Sequence, residues 1–580
     1  MSKVVTETRE QMRELILNAL GEAIAAGELP AEPIPAFGIE VPGDRAHGDL
    51  SANVAMVSAR AFKRSPRQIA DSVAAHLVLN GTYFEKAEVA GPGFLNFFLS
   101  PAFYADVVAD VLDKQDAYGR SDYGHGQKVM VEFVSANPTG PMHMGNARGG
   151  ALGDCLAAVL EAAGYDVWRE FYVNDAGNQI EKFAISLEAR YLQLFKGEET
   201  VPFPEDAYHG EDIKEHATAF AALHSDRYVE ADEVERRQAL VDFALPKNID
   251  KMHRDMEKYR IRYDRWFLES TLHEDGELKE TIDLLTERGM TYEKDGALWY
   301  KNKEVLTKKL LAEGKTQAEI DKLELKDDVL VRVNGHPTYF AADIAYHRNK
   351  FARGFDTCID VWGADHHGHV ARMKGAMDAV GLDGDKLQVV LIQLVRLMRG
   401  GEVARMSKRS GKAIQLADLL DEVPVDAARF FFNQREANTR MDFDLDLAIE
   451  QSSSNPVYYV QYAHARICSI FRKMKEEGVA VRLATSVELA RLTQPEEKEL
   501  IRHLAAYTDE IVNAAKEYDP ARITRYCLDL GALFHKFYNS CRVKGEDEGL
   551  MQARLALCDA TRVVLRNALT LLKITVPESM

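Results

Sequence analysis

Nowhere in the 580-residue sequence does an apolar run approach the roughly 20 residues that a bilayer-spanning helix requires, so no transmembrane helix and no membrane partner are expected. Cysteine is scarce. Its six positions (155, 358, 468, 527, 541 and 558) form no C-x-x-C pair and no cluster, which argues against a disulfide framework and a cysteine zinc site. A reducing cytoplasm fits that usage best. The opening stretch lacks both the apolar core of a secretory signal and the arginine-rich, acid-poor texture of a transit peptide. Internal repeats and low-complexity tracts are missing as well. So is any excess of positive charge: 72 Lys and Arg against 91 Asp and Glu leave a net charge of −19. That balance excludes an indiscriminate polybasic binder, but it says nothing against a local basic surface.

What remains is an ordinary globular composition, 46% hydrophobic and 28% charged, long enough for several domains. Residues 1–115 read as a small α+β domain, with two amphipathic runs (the second over residues 51–79) flanking a Pro- and Gly-rich segment. In residues 116–423, an apolar β-branched run at 128–134, a Gly- and Ala-rich helix at 145–163 and a second strand at 165–173 form a βαβ unit, hence a parallel sheet. Strand patterns return at 329–333, 338–342, 357–362 and 388–395. The expectation is one doubly wound, Rossmann-like α/β domain interrupted by a charged helical insertion at about 185–330. Residues 424–580 read as an all-helical domain.

Two segments carry chemistry. The first, Ser135-Ala136-Asn137-Pro138-Thr139-Gly140-Pro141-Met142-His143-Met144-Gly145-Asn146, lies between a strand and a helix N-terminus. Free backbone N–H groups and the positive end of the helix dipole favour a phosphate there. The second, residues 405–412, places Arg405, Lys408, Arg409 and Lys412 in eight positions with Met406, Ser407 and Gly411, a composition suited to neutralising a polyphosphate. Taken alone, each is more simply a tight turn or a solvated loop.

In this order, on either side of a split sheet, the two segments resemble the HIGH and KMSKS signatures of class I aminoacyl-tRNA synthetases. The blocks at residues 131–154, 173–180, 328–348, 362–369 and 454–464 narrow the resemblance to the arginyl-tRNA synthetase family and extend it over nearly the whole chain. The resemblance implies formation of arginyl-adenylate from L-arginine and ATP, then transfer to tRNA(Arg), with Mg²⁺ held mainly by ATP and no metal site of the protein's own. It assigns His143, Gly145 and Asn146, with Asp365, His366, Met406, Ser407 and Lys408, to ATP; His143, Asn146 and Lys408 take the catalytic roles. It assigns Glu132 with Asn137, and Tyr339 with Asp343, to arginine. Phe94 and Asn96 match a D-loop contact, and Tyr459, Tyr462, Arg466, Tyr538 and Arg542 an anticodon-side surface. A monomer is expected.

The chain departs from the motifs in having Asn146 for the second histidine, Arg405 for the first lysine and Arg409 for the final serine. Lys408 is present, while Thr139-Gly140-Pro141 occupies the stretch where many family members carry a substitute lysine. Another class I synthetase or nucleotidyltransferase is the runner-up, and a tRNA-binding paralogue with decayed catalysis is the third reading.

Overall fold

Five short segments pair side by side in the computed structural model, which describes residues 2–404, 414–545 and 547–580. They are β1 (Lys128–Glu132), β2 (Asp166–Val173), β3 (Arg265–Leu268), β4 (Thr357–Gly363) and β5 (Leu387–Ile392). Their spatial order is 5-4-1-2-3, and every pairing is parallel. The central strand explains its own place: four of its five residues are buried, as a strand covered by helices on both faces requires. The following helix, Gly145–Ala162, packs so closely that a Cβ on Gly153 would stand 2.3 Å from the Phe133 ring, so only glycine fits. The α/β, doubly wound class read from the sequence is the observed one.

Several details differ. Residues 185–330 are not purely helical. Helices Asn178–Lys196, Glu211–His224 and Glu233–Lys258 do gather around their own core of Phe183, Leu187, Tyr191, Phe220 and Leu240. However, β3, one of the sheet's two edge strands, lies in the same stretch, only four residues long among charges. A separate antiparallel sheet joins Thr291–Lys294, Ala297–Tyr300 and Asp328–Val331. Its hairpin turns on Asp295 and Gly296, both at positive φ, an Asp-Gly signal that the surrounding charge obscured. Asp328–Val331 thus belongs to this sheet and not to the doubly wound one.

Residues 338–342 are not a strand either. Thr338 caps helix Tyr339–Ala352, accepting from the Ala341 N–H, so the β-branched and aromatic residues there start a helix instead of a strand. The run at 388–395 is divided: after β5 the chain leaves the sheet, and Val395–Arg399 pairs with Met441–Asp444. That last strand interrupts the otherwise helical region after residue 424.

The N-terminal region is α+β, with strands Ile39–Glu40, Leu50–Ala52, Phe94–Leu99 and Phe84–Ala90 adjacent in that order. The amphipathic run expected over 51–79 is two helices, Val54–Phe62 and Pro66–Ala75. They are separated by left-handed Lys63 and by a capping box between Ser65 and Gln68. Four long helices, Pro456–Glu476, Pro495–Glu517, Ala521–Ser540 and Glu548–Leu571, build the C-terminal region. Tyr118 ties it back to the rest of the chain, its hydroxyl donating to the Leu504 carbonyl at 3.0 Å.

Candidate active site

The chain leaves β1 towards β2, while β4 lies on the other side, so a crevice opens beyond the C-terminal ends of β1 and β4, where such sheets bind ligands. Backbone strain marks the spot. Val134 and Ser135 both have positive φ (73° and 45°), a conformation that costs a β-branched residue about 1–3 kcal/mol. The Ser135 hydroxyl holds the turn, donating to Glu132 Oε1 at 2.7 Å and accepting from the Tyr172 N–H at 3.2 Å. Beyond it, Asn137 is exposed at the edge of a cleft of about 910 Å³ lined also by His143, Asn146, Tyr208, Lys247 and Gln415.

His143 is exposed, just before helix Gly145–Ala162, whose N-cap has no side-chain hydrogen bond. Asn146 Oδ1 accepts from the His143 backbone N–H at 3.0 Å. A β-bridge joins His143 to Gln415, and the Leu416 N–H donates to the Met142 carbonyl at 3.0 Å. The first motif therefore meets the segment that directly follows the second. Met406, Ser407 and Lys408 themselves lie outside the described residues.

One turn below His143, Arg148 is fully buried. It donates to the carbonyls of Gln393 (2.9 Å), Thr439 (2.9 Å) and Glu436 (2.8 Å), joining the first-motif helix to the end of β5 and the start of the helical region.

Tyr339 and Asp343 stand one turn apart on helix Tyr339–Ala352, both partly exposed. Asp343 is not an N-cap, since Thr338 fills that role. Its carboxylate faces His369 Nε2 at 3.2 Å. Arg372 approaches His369 Nδ1 at 2.7 Å and Asp328 at 2.8 Å. A guanidinium only donates, so Nδ1 accepts and the ring proton sits on Nε2, facing Asp343.

A second carboxylate, absent from the sequence reading, completes the group. Glu269 is 3% exposed at the end of β3 and accepts from the Tyr172 hydroxyl at 2.7 Å. Burial pushes its carboxyl up to about 7; the Asp343 and Asp175 carboxylates add to this, and the Tyr172 hydrogen bond opposes it. Asp175 is already engaged by the Ser270 N–H and hydroxyl. The signal that could have found Glu269 was the Trp-Phe-Leu-Glu run, a short apolar strand ending in an acid.

Glu132 lies deeper than Asn137, Tyr339 and Asp343. It is 6% exposed, and its carboxylate is held by Ser135 and by an ion pair to Lys350. Lys350 also donates to Asp360 Oδ1 at 2.7 Å, and His347 stands 2.7 Å from the other Asp360 oxygen. Burial works against the Asp360 charge, yet Lys350 and His347 overcome it and hold the carboxyl down at about 2. Glu132 thus belongs to a buried charge network under the cleft rather than to its open lining.

Asp365 and His366 follow β4 in a short turn with 83% and 58% of their side chains exposed. Among the described residues no three His, Cys, Asp or Glu side chains gather as a metal site.

In the N-terminal sheet Phe94 is half-buried, while Asn96 is 4% exposed and accepts from the Ser51 hydroxyl at 2.8 Å. The pair therefore presents one aromatic rather than two side chains. In the helical region Tyr459, Tyr462 and Arg466 share a face of Pro456–Glu476. The Arg466 guanidinium lies 4.5 Å over the Tyr538 ring, and His535 lies 5.2 Å from Tyr459. Arg542 is exposed just beyond that helix pair.

A five-stranded parallel sheet, a first motif at a helix N-terminus in its crevice, and a chain that returns there directly after a second basic motif define a class I aminoacyl-tRNA synthetase. Comparison with known proteins agrees: residues 107–470 match the model for the class I (R) tRNA synthetase catalytic domain. Residues 10–99 match the arginyl tRNA synthetase N-terminal domain, and residues 460–580 the DALR anticodon binding domain. The arginine–tRNA ligases of Ruminiclostridium cellulolyticum and Acetivibrio thermocellus are each 54% identical over 581 residues, covering 100% of both chains. The Thermus thermophilus arginyl-tRNA synthetase, at 22% identity, shares the fold with a TM-score of 0.69 over 97% of this chain and 99% of its own. The chain belongs to the arginyl-tRNA synthetase family.

Proposed function

We propose that the crevice beyond β1 and β4 is where this family member performs both half-reactions. The chain is an arginine–tRNA ligase: it forms arginyl-adenylate from arginine and ATP, releasing pyrophosphate, and charges tRNA(Arg) with arginine. The observation that carries the site assignment is that Asp343, one turn from Tyr339, acts electrostatically on the Glu269 carboxyl, while Tyr172 joins Glu269 to Ser135 at the start of the strained loop. A guanidinium presents several fixed donors and keeps its charge, so two converging carboxylates select it over a neutral isostere. His369, with its proton directed at Asp343, holds that carboxylate in position. Asn137 would take the α-amino and carboxylate end, while Glu132 acts through Ser135 and Lys350.

ATP would lie along the first motif, with phosphate oxygens near His143, the helix N-terminus at Gly145 and the Asn146 amide; Asp365 and His366 would face the nucleoside side. The arginine carboxylate attacks the α-phosphorus and the bond to the β-phosphate oxygen breaks, so positioning and charge neutralisation do most of the work. Lys408, with Met406 and Ser407, would neutralise the departing pyrophosphate. Mg²⁺ would arrive on the ATP phosphates. Lys247, Lys251 and Arg254 line the same cleft and suit the phosphates of an entering single strand.

RNA contacts would fall on Phe94 and on the aromatic face formed by Tyr459, Tyr462, Arg466 and Tyr538, where unpaired bases can stack, with Arg542 beside it. We read the domains as residues 1–115, 116–423 and 424–580, and the protein as a cytoplasmic monomer; among the described residues no helix is long and apolar enough to cross a membrane. The test is ATP–pyrophosphate exchange with each amino acid, with and without tRNA(Arg). Exchange confined to arginine supports the pocket; equal use of lysine or citrulline refutes it.

A further inference from the structure

Asn248 joins parts of the molecule that the reaction scheme leaves separate. It is 6% exposed on helix Glu233–Lys258, two residues after a proline inside that helix. Its Nδ2 donates to the Pro138 carbonyl at 2.9 Å, 110 residues away. Its Oδ1 lies 2.8 Å from Nε2 of His216 on helix Glu211–His224. The partners determine the orientation. A carbonyl only accepts, so the amide nitrogen faces Pro138, and the amide oxygen must then receive a proton from His216 Nε2.

Pro138 sits in the middle of the loop that carries Asn137 and leads to His143. At its start the loop is held by Ser135, and at its end by the bridge to Gln415. Between them, Asn248 supplies the anchor. Pro138 has no N–H to donate, so its carbonyl is the backbone handle available there.

We propose that Asn248, oriented by His216, is a positioning residue for arginine activation. It clamps the loop bearing Asn137 and His143 to the helical insertion, so the seating of these two helices sets the geometry of the pocket. The inference rests on the reading of residues 135–146 as the substrate loop.

The test compares His216→Gln, which keeps a donor where Nε2 stood, with His216→Phe, which removes it. In tRNA-dependent pyrophosphate exchange His216→Phe should raise the arginine KM about fivefold to tenfold, the scale of one lost orienting hydrogen bond. Affinity for tRNA(Arg) should stay near that of the parent, and the protein should still melt in a cooperative transition, at a somewhat lower temperature because the Asn248 amide oxygen loses its donor. His216→Gln should stay within about twofold of the parent KM. Equal KM values in all three proteins, or equal losses in both variants, would overturn the proposal. Because His216 is only half-buried, these variants decide the matter even where an Asn248→Asp protein fails to fold. Asn137→Ala separates the two levels: if it leaves arginine kinetics unchanged, the reading of the loop fails; if it impairs them while His216→Phe does not, only the clamp fails.

Discussion

Lowering the pH should weaken arginine binding through Glu269, and the structure sets the size of the effect. Burial, reinforced by Asp343 and Asp175, pushes this carboxyl up to about 7 in the free site. A guanidinium needs the carboxylate form, so at about pH 6 arginine must first displace a proton from roughly nine molecules in ten, and at about pH 8 from roughly one in ten. The arginine KM should therefore rise about tenfold between about pH 8 and pH 6, equivalent to about 1.4 kcal/mol. The assay is pyrophosphate exchange across that range with ATP and tRNA(Arg) saturating. Glu269→Gln should have a high but nearly flat KM profile. A raised carboxyl binds more protons folded than unfolded, so the free protein should lose stability as pH rises towards about 7, and arginine should reverse the loss. A flat profile in the parent protein, or an unchanged slope in Glu269→Gln, would show that arginine binding does not depend on the Glu269 carboxylate.

Other outcomes follow from the same contacts. Asp343→Ala should raise the arginine KM or abolish charging, since it leaves the substrate cation without one of its two partners, as measured by aminoacylation at graded arginine concentrations. Ser135→Ala removes the hydroxyl that bridges Glu132 and the Tyr172 N–H, and should lower kcat/KM for arginine about tenfold while tRNA binding is retained. Arg148→Ala empties a fully buried site and removes the guanidinium that ties the first-motif helix to the carbonyls of Gln393, Thr439 and Glu436, and should destabilise the fold by about 3 kcal/mol or more, read as a lowered melting temperature. Lys408→Ala should lose most aminoacylation yet keep tRNA affinity, because the cation acts on the transition state rather than on RNA binding.

Much of this protein was legible one segment at a time. The apolar run of β1, the glycine-rich helix after it and the motif between them identify themselves through short-range physics: burial on both faces of a strand, close packing at Gly153, free amides at a helix N-terminus. The net charge of −19 was compatible with RNA for the same local reason, since Tyr459, Tyr462 and Arg466 follow a helical spacing that brings them onto one face. What the segments could not reveal were the pairings between them. β3 is four residues long and becomes a strand only because β2 lies beside it. Glu132 and Asn96 have the right residue types for ligand contacts, yet Lys350 and Ser51, far away in sequence, hold them inside. Glu269 looks like any surface acid until Tyr172 and Asp343 surround it, and the proton of His369 is located only by Arg372. A carboxylate or an imidazole takes its charge and direction from its neighbours, and those neighbours are chosen by the tertiary fold.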